Sequence, residues 1–183
     1  MGKLIIRKQC GFTVVELMVV LALLGIVLAL GYMFFGFGIS TFARGERQTI
    51  AQQEIRRGAE FITSELRFAN KITIEPADLT EGGYYYIYQE GDSVVYKDKS
   101  GQERVVLDSS ADGITYLISF NEESVQESRD YGLIIKFVLE AEDNLYVLDT
   151  NVYIMNLRNK NNYQDLSTQN GSASAIKFSK PLF

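Results

Sequence analysis

The chain has 183 residues, room for one domain and an appendage, and its 46% hydrophobic and 22% charged residues exclude a disordered polymer. One cysteine, Cys10, excludes an intramolecular disulfide, and the lack of histidine removes the usual zinc ligands and catalytic base, so neither metal nor cofactor is expected. The net charge of −5 is unevenly spread: Lys3, Arg7 and Lys8 stand in residues 1–11 without an acid, whereas residues 70–183 hold ten Lys or Arg against eighteen Asp or Glu. Such an acidic portion repels phosphate backbones, so the globular part is not expected to bind nucleic acid.

The basic leader runs into twenty-three uncharged residues, Leu17 to Ile39. Crossing ~30 Å of hydrocarbon takes about 20 apolar residues in a helix, so this stretch is long enough to span. An ordinary secretory signal places its cleavage site after the apolar run, and its apolar run is shorter. A lipid-modified cysteine would also follow an apolar stretch, whereas Arg7, Lys8 and Gln9 precede Cys10. Topology alone describes a single-pass anchor with a basic cytoplasmic flank.

The junction is more specific. The string Gly11-Phe12-Thr13-Val14-Val15-Glu16-Leu17 resembles the signature of type IV prepilins and type II secretion pseudopilins. The resemblance is specific over residues 3–39 and architectural beyond. It implies that a prepilin peptidase cuts after Gly11 and methylates the new N-terminus at Phe12. It also implies that Glu16 acts in subunit assembly, with other pilin or pseudopilin subunits as partners through the N-terminal helix. Many major pilins carry a helix-kinking proline in the apolar region; none occurs here before Pro76. The helix–sheet order and the closing Asn151–Asn159 segment, with Leu157-Arg158-Asn159, are similar in pattern to larger minor pilins and J-type pseudopilins.

Glu16 has a physical rationale of its own. A carboxylate beside an apolar helix is costly in lipid, about 2.5–3.5 kcal/mol at the bilayer centre, and persists where it has a partner. Cleavage after Gly11 would create an ammonium at Phe12, one helical turn away, and a staggered neighbour's ammonium would pair with Glu16. The alternative is a helix-end carboxylate stabilised by the macrodipole.

Beyond Ile39 the pattern becomes amphipathic, with apolar residues at Ile39, Phe42, Ala43, Ile50, Ile55, Ala59, Ile62, Leu66 and Ala69. One helix is therefore expected from Phe12 to about Asn70. Strands are expected at Lys71–Glu75, Tyr84–Gln89, Ser93–Lys97, Glu103–Leu107, Ile114–Phe120, Leu133–Glu140 and Leu145–Asn156, separated by turn signals such as Glu90-Gly91-Asp92 and Asp112-Gly113. Short connections favour antiparallel hairpins. The expected fold is α+β: a long N-terminal helix, membrane-spanning in its first half, packed on a mostly antiparallel sheet. The expected organisation is a leader over 1–11, a transmembrane or filament-core helix over 12–39, an amphipathic continuation over 40–70 and a β-rich extracytoplasmic domain over 71–183, with the N-terminus cytoplasmic. Residues 159–174 read as a polar surface loop, with Ile176 and Phe178 returning to the core.

Tyr84 and Tyr86, in a cluster with Tyr85 and Tyr88, are candidate binding-surface residues; strand alternation sends one face of the cluster to the core and the other to solvent. The acidic groups Glu122–Glu123 and Glu140–Asp143 lack an ordered calcium-ligand spacing and read as hairpin turns. No nucleophile–base pair or phosphate-cradling loop is found. The reading is a non-enzymatic, structural subunit of a type IV pilus-like filament or pseudopilus, acting in filament initiation or assembly. The alternatives are a tip adhesin or DNA-uptake receptor, and a membrane-anchored domain that never polymerises.

Overall fold

The computed structural model describes residues 13–123, 133–142, 145–157, 163–165 and 173–181. Helix α1 runs from Val14 to Arg67, with no proline to interrupt it. The chain divides into two compact units, Met1–Gly45 and Glu46–Phe183. In the first unit every described residue is solvent-exposed, including Leu21, Ile26 and Phe35.

In the second unit α1 buries one stripe, Ala51, Ile55, Gly58, Ala59, Ile62 and Leu66. The spacing keeps these residues on one face of a helix with 3.6 residues per turn. The expected stripe began earlier; Phe42 is 76% exposed, and at the start of the packed region Ala51 rather than Ile50 faces inward. A step of one residue turns the side chain by about 100°, enough to exchange buried for exposed. At Gly58 the helix packs tightly: a Cβ there would lie 2.8 Å from Leu107 Cδ2.

Strands β1 (Lys71–Ile74), β2 (Tyr85–Glu90), β3 (Ser93–Lys97) and β4 (Glu103–Leu107) follow, then a short helix α2 (Ser109–Asp112). Asp108 caps α2 by accepting from Ser110 N–H, and Gly113 ends it in the left-handed region at φ 68°. Strands β5 (Tyr116–Glu123), β6 (Leu133–Ala141), β7 (Tyr146–Ile154), β8 (Tyr163–Asp165) and β9 (Ala175–Ser179) complete the fold.

The strands form two sheets rather than the single sheet expected. One has six strands in the order β4-β3-β2-β9-β1-β8, and the other is the meander β5-β6-β7. All neighbours pair antiparallel except β1 and β8, which are parallel. Ile176 and Phe178 do return to the core, both at 0% exposure, because β9 inserts between β1 and β2. Part of the expected loop over 159–174 is strand β8; the rest of it, up to Ala173, lies outside the described residues.

Gln89 joins the two sheets. Its Nε2 donates to the Tyr116 carbonyl at 2.6 Å and its Oε1 accepts from Ile118 N–H at 3.0 Å, so one amide stands in for a pair of ladder bonds. A bridge between Phe120 and Ala173 adds a backbone link between β5 and the approach to β9.

Candidate functional site: the start of α1 and the tyrosine face

Gly11 and Phe12 lie outside the described residues. Thr13 Oγ1 accepts from Glu16 N–H at 3.2 Å, while the Thr13 carbonyl accepts from Leu17 N–H at 3.2 Å. Thr-x-x-Glu at this position has the spacing of a capping box, in which a hydroxyl satisfies one of the unpaired first-turn donors. Glu16 sits in that first turn, where the helix dipole favours a carboxylate, and its carboxylate forms no ion pair among the described residues. The local geometry thus accounts for a carboxylate at a helix end and leaves its charge available.

From Val14 to Ile50 the helix is exposed, and it holds one stretch long and apolar enough to cross a membrane. Isolated apolar residues on a surface are ordinary, but a long apolar helix left exposed among the described residues calls for lipid or another protein.

The tyrosines divide differently from the binding surface expected of Tyr84 and Tyr86. Tyr86 is 1% exposed and packs with Tyr88, Val95 and Ala175 in a small second core, while its hydroxyl donates to the Glu81 carbonyl at 2.9 Å. Burial pushes its ionisation above the ordinary phenol value, with the Glu81 charge adding to the effect. Its ring offers nothing to a ligand. Tyr84 is half-buried, with Lys177 Nζ 4.9 Å and Lys71 Nζ 5.4 Å from its ring centre. The loop between β1 and β2 covers this outer face of the six-stranded sheet, through Leu79 and the Glu81–Lys177 ion pair at 2.7 Å.

Sequence reasoning missed a second polar cluster. Arg47 donates to Glu142 Oε1 at 3.0 Å and to the Gly113 carbonyl at 3.3 Å, and Thr115 N–H donates to Glu142 Oε2 at 3.2 Å. Beside it the fully buried Tyr116 hydroxyl donates to Asp112. The acidic group around Glu140–Asp143 therefore contains a structural tie, not only a solvated turn. Among the described residues no cluster of metal-ligating side chains is present.

Against known proteins, residues 6–32 match the family model described as the prokaryotic N-terminal methylation motif. No curated protein matches the chain. Among solved structures the chain is similar to the PilB minor pilin from Streptococcus sanguinis, with a TM-score of 0.55 and 13% identity over 75% of this chain and 36% of that one. A point mutant of the same pilin gives a TM-score of 0.55 and 14% identity, over 72% and 34%. The chain thus spans about a third of the solved pilin's length, and at this identity the likeness is one of fold. The chain thus carries a prokaryotic N-terminal methylation motif that leads into a long apolar helix, and its fold is similar to that of a solved minor pilin.

Proposed function

We propose that the protein is a minor structural subunit of a type IV pilus-like filament or pseudopilus, acting in filament initiation or assembly. In this reading a prepilin peptidase removes residues 1–11, cutting after Gly11, and methylates Phe12. The helix over 12–39 first anchors the protein in the cytoplasmic membrane and then enters the filament core. The globular part stands on the extracytoplasmic side, with Lys3, Arg7 and Lys8 held in the cytoplasm until cleavage. Glu16 pairs with the Phe12 ammonium of a neighbouring subunit. Pilins are structural proteins, and no catalytic step is assigned to this one.

The observation that carries the reading is the methylation motif at 6–32, continuous with a helix whose described residues from Val14 to Ile50 are exposed. Intact-mass analysis of the membrane-extracted protein tests it. Loss of residues 1–11 and one added methyl on Phe12 are expected in a host with an active prepilin peptidase. Recovery of the full-length chain alone from such a host would overturn the reading.

A further inference from the structure

Strand β7 is an edge: it pairs with β6 and, among the described residues, with no other strand. Its burial alternates, so that Leu148 and Thr150 turn toward α1 while Val147, Asp149 and Asn151 face solvent. Between this edge and the outer flank of α1 lies an open groove of about 490 Å³, lined by Arg56, Ala59, Glu60, Arg67, Leu148 and Thr150 among others. At its far end the edge is closed, where Met155 N–H donates to the Arg67 carbonyl at 3.0 Å and Asn156 Nδ2 to the Phe68 carbonyl at 3.1 Å.

The charges in the groove are distinctive. Arg57 is paired with Glu54 and Arg47 with Glu142, but Arg56 and Arg67 form no ion pair among the described residues. Glu60, one turn from Arg56, forms none with it. Two guanidinium groups against one carboxylate leave the groove positive in a globular part that is otherwise acidic. An open strand edge presents unpaired N–H and C=O groups, which natural proteins commonly shield with charge, bulges or a covering segment. Here the shield along the groove is two unpaired cations, which exclude cationic strands and admit anionic ones.

We infer that this groove accepts an extended acidic segment of another polypeptide, added as a strand beside β7. Arg56 and Arg67 are eleven residues apart, about 16 Å along the helix. An extended chain rises about 3.4 Å per residue and turns alternate side chains to the same face, so carboxylates at the first and fifth positions fall within reach of both guanidiniums. The third side chain faces Leu148 and Ala59 and is best small and apolar. Main-chain bonds to β7 would supply most of the affinity, and the two arginines the choice of partner.

The test uses the full chain in detergent micelles and three blocked, fluorescent pentapeptides: Glu-Thr-Val-Thr-Glu, its Lys-Thr-Val-Thr-Lys counterpart, and Glu-Thr-Pro-Thr-Glu. The first should bind at least tenfold more tightly than the second, and raised salt should narrow the gap. The proline peptide should bind several-fold more weakly than the first, because it cannot donate at its centre. Arg56→Ala and Arg67→Ala should each weaken the first peptide about three- to tenfold, with circular dichroism and melting unchanged. Hydrogen exchange should slow across β7 when the first peptide is bound. Equal binding of the acidic and basic peptides, unchanged exchange in β7, or indifference to both arginine variants would overturn the inference. A concentration-dependent dimer of the full chain that dissociates in Arg56→Glu/Arg67→Glu would assign the groove to a second copy and overturn the proposed occupant.

Discussion

Arg47 Nη2 and Glu142 Oε1 are 3.0 Å apart although 95 residues separate them in sequence. The pair ties α1 to the connection between β6 and β7, and through Thr115 and Gly113 it also holds the link between α2 and β5. Hydrogen bonds from Thr115, and then the Arg47 guanidinium, hold the Glu142 carboxyl below its ordinary value of 4.5. A depressed folded-state value stabilises the fold at pH above the unfolded value, and that stability is lost as pH falls through the folded value. The melting temperature should therefore drop below about pH 4.5, and Glu142→Gln should start lower at pH 7 and show a shallower acid slope. Thermal melts of both proteins from pH 3 to pH 7 measure this, and parallel curves would remove Glu142 from the acid response.

The contact of Gly58 with Leu107 predicts a steric asymmetry. Leu107 is fully buried, so its methyl cannot swing into solvent when a Cβ arrives 2.8 Å away. Gly58→Val should destabilise by about 1–3 kcal/mol, the range for overpacking a filled core. In a Leu107→Ala background the same change should cost less, because residues in contact do not behave additively. Urea unfolding of the four proteins in the cycle reads the coupling, and strict additivity would mean that the helix shifts rather than the leucine.

Tyr86→Phe removes the hydroxyl bonded to the Glu81 carbonyl and should cost about 0.5–1.5 kcal/mol. Tyr86→Ala should cost about 3–5 kcal/mol, as for a large aromatic lost from a core. Denaturant midpoints check both. A Tyr86→Ala protein as stable as the parent would place that ring at the surface after all.

Under the proposed function, Glu16→Val should separate assembly from anchoring. The junction at Gly11-Phe12 is untouched and the apolar stretch is unchanged, so insertion and leader removal should proceed as before. Recruitment of other pilin-like subunits should fail, because a neighbour would keep an unpaired ammonium; breaking a truly buried pair costs about 3–5 kcal/mol. Co-purification at equal membrane levels measures the difference. Equal recovery would leave Glu16 as a first-turn carboxylate with no role beyond the helix end.

What the sequence discloses follows the range of the interactions. Strands Ser93–Lys97 and Glu103–Leu107 are readable to the residue because a local turn, with Asp98 accepting from Ser100 and Gln102 N–H, sets their ends. The methylation motif is equally local, and so is the Thr13–Glu16 spacing. The way the two sheets meet is not readable, because it runs through contacts distant in sequence, such as Gln89 of β2 reaching β5 and the bridge of Phe120 to Ala173. The burial of Tyr86 is hidden for a similar reason: the loop that covers it has no periodicity to mark it as a lid over a second core. The Arg56–Arg67 groove becomes visible only once β7 is known to be an edge.

The position of β9 constrains the order in which the molecule can be made. β1 is complete at Ile74, yet the neighbour that joins it to β2 begins at Ala175, so the middle of the six-stranded sheet is missing until Ser179 has emerged. Helix α1 and the β2–β3–β4 meander can form early from nearby residues, but the sheet that buries Ile72, Ile74 and Ile87 closes late, across the loop entropy of about a hundred residues. During synthesis, an incomplete chain would expose the apolar face of that half-built sheet. Truncated products ending before β9 should therefore be more prone to aggregation and proteolysis than the chain that includes it.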